Sequence, residues 1–343
     1  MFRRVLLITV VALAAVPAAA ASATPVAAPG AATSLREYQG TVVFSQYVSA
    51  EQHWRLAVRR RGGAPEVLRD VPPADRPFGA DIGPDSNGRP QLVYQRCDET
   101  CDLFVYSLSA RMAERAVNNA NDPENDDVAP TLWRGRIAWA RIYGEQSDRR
   151  VVVYTKKLTA PRSRRSTRLP GVPLRRSRDD GPGTSATTGR AVDALELYGN
   201  NLAQVVSYTC RGCSGTSQTE LRLVRLEQRT SAPVAFQAVG LSGQQLVGPS
   251  FTPGTLGFYR ACLGDPSGCR AGGATPFRYR LGTRKGFRGS SGPPGVFGFA
   301  DAGSVAYRVE GCNFETQAEL NARCRIEEVP AASYVPSRIP RRD

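Results

Sequence analysis

Eight cysteines are the residues of this sequence best suited to chemistry, because thiols bond to each other, to metals and to substrates. Their even number and short spacings are typical of disulfides in an exported chain. A zinc site would need two cysteine pairs to converge, and a redox thiol favours an adjacent helix start, whereas residues 214–217 have the composition of a loop. We predict four local disulfides, Cys97–Cys101, Cys210–Cys213, Cys262–Cys269 and Cys312–Cys324.

The single histidine, His53, is the only imidazole base that this chain offers for nucleophilic catalysis. It lies in a polar turn, and the sequence contains no G-x-S-x-G elbow, Walker loop, G-x-G-x-x-G or H-E-x-x-H motif. We therefore expect His53 to be a solvated turn residue, and we predict no catalytic residue and no bound cofactor.

Carboxylates are the remaining candidates for chemistry. If the fold brings them together, they can bind calcium or hydrolyse glycosidic bonds as a pair. The acidic stretch of residues 122–127 does not have EF-hand spacing, so a solvated acidic loop is the favoured interpretation, with calcium as the one cofactor left open. The candidates are Asp122, Glu124, Asp126 and Asp127 in that stretch, and Asp75, Asp81, Asp193 and Asp301 near other strand starts.

A cluster of cations between residues 156 and 178 holds nine Lys and Arg and no acid. Such a cluster can hold a polyanion, and the absence of interleaved aromatics argues against sequence-specific reading of nucleic acid. We expect a protein or an anionic cell-envelope polymer as partner, with a solvated loop as the alternative. The candidate anion-binding residues are Arg162, Arg164, Arg165, Arg168, Arg175 and Arg176.

A repeated hairpin pattern organises the chain that must position these residues. A glycine, an aliphatic residue and an aromatic residue recur at a period near 50 residues, each copy followed by a second run of alternating apolar residues. Four such copies and two looser ones, at residues 88–94 and 201–208, predict an all-β fold, a six-bladed β-propeller with four-stranded antiparallel blades over residues 35–330. A β-sandwich or two stacked β domains are the alternative. The closing aromatics are Phe44, Tyr94, Trp139, Tyr208, Phe258 and Tyr307.

The turn before the second copy carries a family resemblance. Residues 83–88 read Gly-Pro-Asp-Ser-Asn-Gly and lead into the apolar run 91–94, and residues 252–254 repeat part of this turn as Thr-Pro-Gly. In this respect the chain resembles the TolB-type, WD40-like propellers of exported bacterial proteins. The resemblance implies a fold, and no activity residues carry over from it.

The ends of the chain indicate export. Arg3 and Arg4 precede an apolar run over residues 5–16, and small residues follow, so residues 1–23 are predicted to be a cleaved signal peptide, with an uncleaved anchor as the alternative. No second stretch approaches the length of a membrane span. We expect residues 24–34 to be a short linker and residues 331–343 a basic tail.

The net charge of +14 and 41% hydrophobic content fit a folded, basic protein. The sequence therefore predicts a secreted or envelope-held monomer that works as a non-catalytic binding module. The alternative is a carboxylate-based hydrolase or a calcium-dependent lactonase with its site on the propeller axis.

Overall fold

A computed structural model describes residues 23–30, 34–110, 114–144, 150–159, 165–170, 187–210, 216–239, 244–262, 273–292, 296, 298–310 and 324–340. These residues form 25 β-strands, and none of them is helical. The strands pair into six antiparallel sheets that follow one another along the chain, which confirms the predicted six-bladed propeller.

Blades 1 to 3 each have four strands in sequence order from the axis outwards. Their strands are β2 (Arg36–Tyr38), β3 (Thr41–Val48), β4 (His53–Arg59) and β5 (Pro65–Val67); β6 (Gly79–Pro84), β7 (Pro90–Cys97), β8 (Cys101–Ser107) and β9 (Arg115–Ala116); and β10 (Asp126–Trp133), β11 (Arg136–Tyr143), β12 (Arg150–Lys157) and β13 (Thr167–Arg168).

Blades 4 to 6 repeat this order, and the two ends of the described chain add strands to blades 5 and 6. Their strands are β14 (Thr187–Tyr198), β15 (Asn201–Cys210), β16 (Thr216–Arg225) and β17 (Thr230–Ala238); β18 (Gln244–Thr252), β19 (Thr255–Cys262), β20 (Thr275–Arg280), β21 (Lys285–Gly289) and β25 (Tyr334–Pro336); and β22 (Gly298–Asp301), β23 (Val305–Glu310), β24 (Arg325–Pro330) and β1 (Thr24–Ala27).

The hydrophobic core is divided into six layers, one between each pair of neighbouring blades. The six aromatic residues that close the repeated hairpins lie on the second strands of the six blades, and each is at most 1% exposed. The period of the sequence repeat therefore reflects a packing requirement, because each blade must place one large ring in a layer shared with its neighbour.

Hydrogen bonds between blades repeat around the ring as well. A side-chain oxygen of one blade accepts a backbone N–H at the inner strand of the next, which satisfies a donor that has no partner within its own sheet. The pairs are Ser45 with Phe78 (3.0 Å), Asp81 with Leu132 (2.7 Å), Thr131 with Leu197 (2.9 Å), Thr219 with Leu246 (2.9 Å) and Ser250 with Asp301 (2.9 Å).

The ring closes through the N-terminal part of the described chain. Strand β1 pairs with β24 and so supplies the outermost strand of blade 6, although residues 24–34 were predicted to be a linker. The Arg59 guanidinium of blade 1 lies 2.9 Å from the Glu328 carboxylate of blade 6 and joins the same two blades. Strand β25, within the predicted basic tail, pairs with β21.

Candidate functional site

The two faces of the propeller differ in which loops they carry. Every inner strand begins at one face, which we call the entry face, and turns into the second strand at the other, which we call the hairpin face. Because β7 runs antiparallel to β6, the Cys97–Cys101 disulfide between β7 and β8 lies on the entry face, with 3.9 Å between the Cα atoms. This disulfide confirms the first predicted pair.

The other three predicted disulfides each include a residue outside the described parts of the chain. Cys262 and Cys324 are disulfide-bonded, and Cys210 ends β15. The pairings Cys210–Cys213, Cys262–Cys269 and Cys312–Cys324 remain predictions.

An arginine crosses the axis in the middle of the disc. Arg36 on the inner strand of blade 1 donates to the Leu195 carbonyl of blade 4, on the opposite side of the ring (3.1 Å). Its Nε lies 2.9 Å from a Glu196 carboxylate oxygen and 4.0 Å from one of Asp81. Arg36 is 7% exposed, so this charged cluster closes the channel and separates two pockets.

The axial pocket at the hairpin face is the larger of the two, with a volume of about 520 Å³. All six blades contribute to it, because it is formed where the six inner strands end. The residues that give it chemical character are three carboxyls, five aromatic rings and one cation: Glu37, Glu196, Asp301, Tyr38, Trp133, Tyr198, Phe251, Tyr307 and Arg61.

Four of these rings, all except that of Tyr307, form a continuous arc along this axial pocket. Tyr38 packs edge-on against Trp133 with 6.2 Å between ring centroids, and Trp133 lies 4.2 Å from Tyr198. Tyr198 lies 5.9 Å from Phe251. The first three rings are partly exposed, so the arc offers ring surface to a ligand.

Each carboxyl of the axial pocket has an arginine beside it. Arg36 contacts Glu196, Arg278 contacts Asp301 at 2.7 Å, and Arg61 interacts electrostatically with Glu37. Burial raises the pKa of Glu37 and of Glu196 above the usual range of a glutamate, and the neighbouring arginines oppose this effect. The pocket therefore holds hydrogen-bonding carboxyls whose charges are largely compensated.

The pocket at the entry face has a volume of about 360 Å³ and is also lined by residues of all six blades. Among the described residues that line it, Asp193 is the one acid, and the Ser207 hydroxyl donates to it at 2.9 Å. The Asp193 side chain is accessible to water, yet protein atoms surround it on the channel wall, and this burial raises its pKa to about 6.

The acidic stretch before blade 3 is an arginine-centred network rather than the expected solvated loop. The Arg141 guanidinium lies 2.8 Å from carboxylate oxygens of both Asp122 and Asp127, and Trp139 Nε1 donates to Asp127 at 2.7 Å. Asp126 accepts the backbone N–H of Cys101, beside the disulfide. These contacts use the carboxylates to hold the start of β10.

The remaining sequence candidates lie apart from the axis or outside the described residues. His53 is half-exposed and lies 3.0 Å from the Asp75 carboxylate. Arg165 and Arg168 precede or lie in β13 and are exposed. No group of three or more His, Cys, Asp or Glu with metal-binding geometry occurs among the described residues. Four candidate anion-binding residues lie outside those residues, namely Arg162, Arg164, Arg175 and Arg176.

A site on the axis was considered from the sequence, but the aromatic arc was missed, although one signal for it was present. Tyr38 and Trp133 both stand two residues before a hairpin glycine, and Tyr198 stands directly before one. Alignment of the six repeats on these glycines would have placed the three rings at one end of the axis.

Fold and pockets together define a six-bladed β-propeller with a ligand-sized pocket at each end of its axis. No protein-family model and no curated protein sequence matches the chain. Solved propellers do match it. TolB from Acinetobacter baumannii has a TM-score of 0.47 and 10% identity, and the match covers 89% of this chain and 65% of that one. The six-bladed fold that the resemblance to TolB-type propellers implies is confirmed by the six antiparallel sheets of this chain.

Two further matches extend this likeness to other kinds of propeller. The SapL1 lectin, solved with α-methyl fucoside, has a TM-score of 0.52 and 10% identity over 92% of this chain and 97% of that one. A puromycin-hydrolysing peptidase from Mycobacterium tuberculosis has a TM-score of 0.50 and 10% identity over 96% of this chain and 58% of that one. At such identities the shared property is the fold. No described helix has the length and apolarity needed to span a membrane.

Proposed function

We propose that this protein is an exported, non-catalytic binding module of the cell envelope that holds a carbohydrate in the axial pocket at the hairpin face. The observation that carries the proposal is the arc of Tyr38, Trp133 and Tyr198 beside compensated carboxyls. The sequence of residues 1–23 supports export.

The chemistry of the axial pocket suits a neutral ligand rich in hydroxyl groups. Partly exposed aromatic rings pack against the apolar C–H face of a sugar ring, while carboxyl oxygens accept hydrogen bonds from hydroxyls. Because Arg36, Arg278 and Arg61 offset the acids, the pocket has no strong preference for a cation. A volume of about 520 Å³ accommodates a short saccharide.

Binding of the purified protein to an immobilised panel of monosaccharides and envelope polysaccharides tests this proposal. Trp133→Ala should weaken binding by about tenfold, ~1.4 kcal/mol, because the central ring of the arc is lost. Phe287→Ala is the matched control, since Phe287 lies on β21 at the rim and is also partly exposed. No saturable binding to any saccharide, or equal losses in both variants, would contradict the proposal.

Export has its own test. The full chain and a chain that lacks residues 1–23 should be expressed side by side in a bacterium, and cell fractions should be blotted. We expect only the full chain outside the cytoplasm, shortened at its N-terminus. Retention of both chains in the cytoplasm would contradict export.

Hydrolysis at the axis is a second candidate function. It is favoured by Glu196 and Asp81, two carboxylates that lie 2.9 and 4.0 Å from the same Arg36 Nε, because glycosidases use a pair of neighbouring carboxyl groups. Asp81, however, is 2% exposed and accepts hydrogen bonds from Thr131, Leu132 and Ile82, so its oxygens are already engaged. Of these two carboxyls, only Glu196 lines the axial pocket.

Product analysis separates the two candidates. Every saccharide that the protein retains should be recovered intact after prolonged incubation, and Glu196→Gln should change only affinity. Release of shortened products by the wild type, and loss of this release in Glu196→Gln, would show that the protein is a hydrolase. It would contradict the proposal of a non-catalytic binding module.

A further inference from the structure

A second pocket of distinct chemistry lies on the hairpin face, near the rim between blades 3 and 4. Its volume is about 240 Å³. Five of its lining residues are cationic: Arg136, Lys157, Arg165, Arg229 and Lys156, of which the last directs its ammonium to the Asn118 carbonyl. We call this site the basic pocket, and the argument concerns its other four cations. None of the described residues that line it is acidic.

Two strands of blade 3 and a turn of blade 4 bring these cations together. Arg136 begins β11 and Lys157 ends β12, and the two residues are direct partners in the strand register. They share the face of the sheet that carries Ala138 and Val153, which pack against blade 4. Arg229 lies in the turn between β16 and β17, and its guanidinium donates to the Arg168 carbonyl at 3.1 Å.

Like charges directly opposite each other on a sheet are destabilising unless something compensates them. Within the described parts of the chain, none of the four cations forms an ion pair. Ion pairing is not general among the described arginines, but ten arginines elsewhere in the described chain do contact carboxylates. These are Arg36, Arg55, Arg59, Arg60, Arg96, Arg141, Arg222, Arg278, Arg308 and Arg325.

The neighbouring Lys156 serves a different purpose. Side chains alternate along a strand, so Lys156 points to the opposite face of β12, where its ammonium donates to the Asn118 carbonyl at 2.7 Å. Strand alternation therefore separates Lys157, which lies on the same face as its partner Arg136, from Lys156, whose ammonium is already engaged.

The floor of the basic pocket is apolar. Leu169 is 3% exposed and Leu226 is 8% exposed, and both belong to the core layer between blades 3 and 4. A low-dielectric floor strengthens the attraction between a bound anion and the surrounding cations. The hydroxyl-bearing residues Thr155 and Thr167 complete the lining.

We propose that the basic pocket binds a phosphate group. Arginine forks match the oxygens of phosphate bidentately, and lysine adds a point charge. A volume of about 240 Å³ corresponds to roughly eight water molecules, enough for a phosphate and part of the molecule that bears it. This site shares no lining residue with the axial pocket, so it is independent of the function proposed above.

Isothermal titration with inorganic phosphate and with long-chain polyphosphate tests the proposal. The wild type should bind one phosphate saturably at low salt. Stronger binding of polyphosphate would identify a polymer as the source, and equal binding per phosphate would identify a small phosphate compound. The triple variant Lys157→Gln, Arg165→Gln, Arg229→Gln should weaken phosphate binding by about tenfold or more, because three charged donors are removed.

The matched control removes the same charge elsewhere. Arg69, Arg76 and Arg89 are exposed and form no ion pair among the described residues, so Arg69→Gln, Arg76→Gln, Arg89→Gln should leave binding within about twofold. Unfolding curves verify that both triple variants are folded. Equal weakening in the two variants would show that net charge alone causes the effect and would contradict a specific site. Absence of saturable phosphate binding to the wild type would overturn the proposal.

Discussion

The axial pocket and the basic pocket lie on the same face, but they differ in whether their charged side chains have counter-ions. In the axial pocket every carboxyl has an arginine beside it, and Arg36 even crosses the ring to reach Glu196. In the basic pocket Arg136 and Lys157 stand opposite each other without a described counter-ion. At the axis, charged side chains therefore pair with each other across the ring. At the rim, the cations remain available to a ligand.

The two pockets also differ in how much of the molecule they need. All six blades build the axial pocket, so its shape depends on closure of the whole ring. The basic pocket needs only blades 3 and 4. Damage to the axis should therefore abolish one site and spare the other.

Removal of the arginine on the axis gives the largest expected effect. Arg36→Met leaves Glu196 and Asp81 without a counter-charge and should destabilise the fold by about 3–5 kcal/mol at pH 8. Since burial raises the pKa of Glu196 in the folded state, stability falls as pH rises through that pKa, and the loss should be smaller at pH 5.

Urea unfolding of Arg36→Met at the two pH values measures this effect. Arg325→Met is the control, because Arg325 contacts Glu310 and Glu327 but its side chain is 54% exposed. The control should lose about 1 kcal/mol or less. Equal losses of stability in both variants would contradict the expected difference between a buried axial arginine and an exposed one.

A methyl group between blades 2 and 3 should have the next largest effect. A Cβ on Gly83 would lie 2.2 Å from the Leu132 carbonyl oxygen, so Gly83→Ala must push two inner strands apart and should cost about 2 kcal/mol. We expect weaker saccharide binding with it, because the axial pocket would be distorted.

The matched control is Gly282→Ala, where an added Cβ meets nothing within 4 Å. It should be close to neutral in chemical denaturation. If Gly83→Ala were neutral as well, the inner strands would not be in the tight contact described above.

The smallest effect is expected at the entry face. Burial raises the pKa of Asp193 to about 6 in the folded protein, so the folded state binds a proton more tightly than the unfolded chain. Stability should therefore fall as pH rises from about 4 through about 6.

Asp193→Asn removes this titration. Its Tm should match the wild type near pH 4 and exceed it by a few degrees at pH 7.5, as measured by calorimetry. A constant difference at all pH values would contradict the assignment, and Asp75→Asn, at an exposed carboxyl, is the control.

The hairpins and their buried aromatics could be predicted because one packing requirement recurs in every blade. The Cys97–Cys101 bond could also be predicted from the sequence, because it closes a local turn. The Arg36 contacts could not be predicted from the sequence, because Leu195 lies 159 residues away and contacts Arg36 only when the ring closes. Strand β1 carries no apolar alternation, so its pairing with β24 was missed.

Both outer strands contributed by the chain ends lie on the circumference of the disc, β1 at blade 6 and β25 at blade 5. A surface attachment made through either of these strands would hold the molecule by its edge. Both mouths of the axis would then stay open to solution, so immobilised protein can be used for ligand capture without blocking either face.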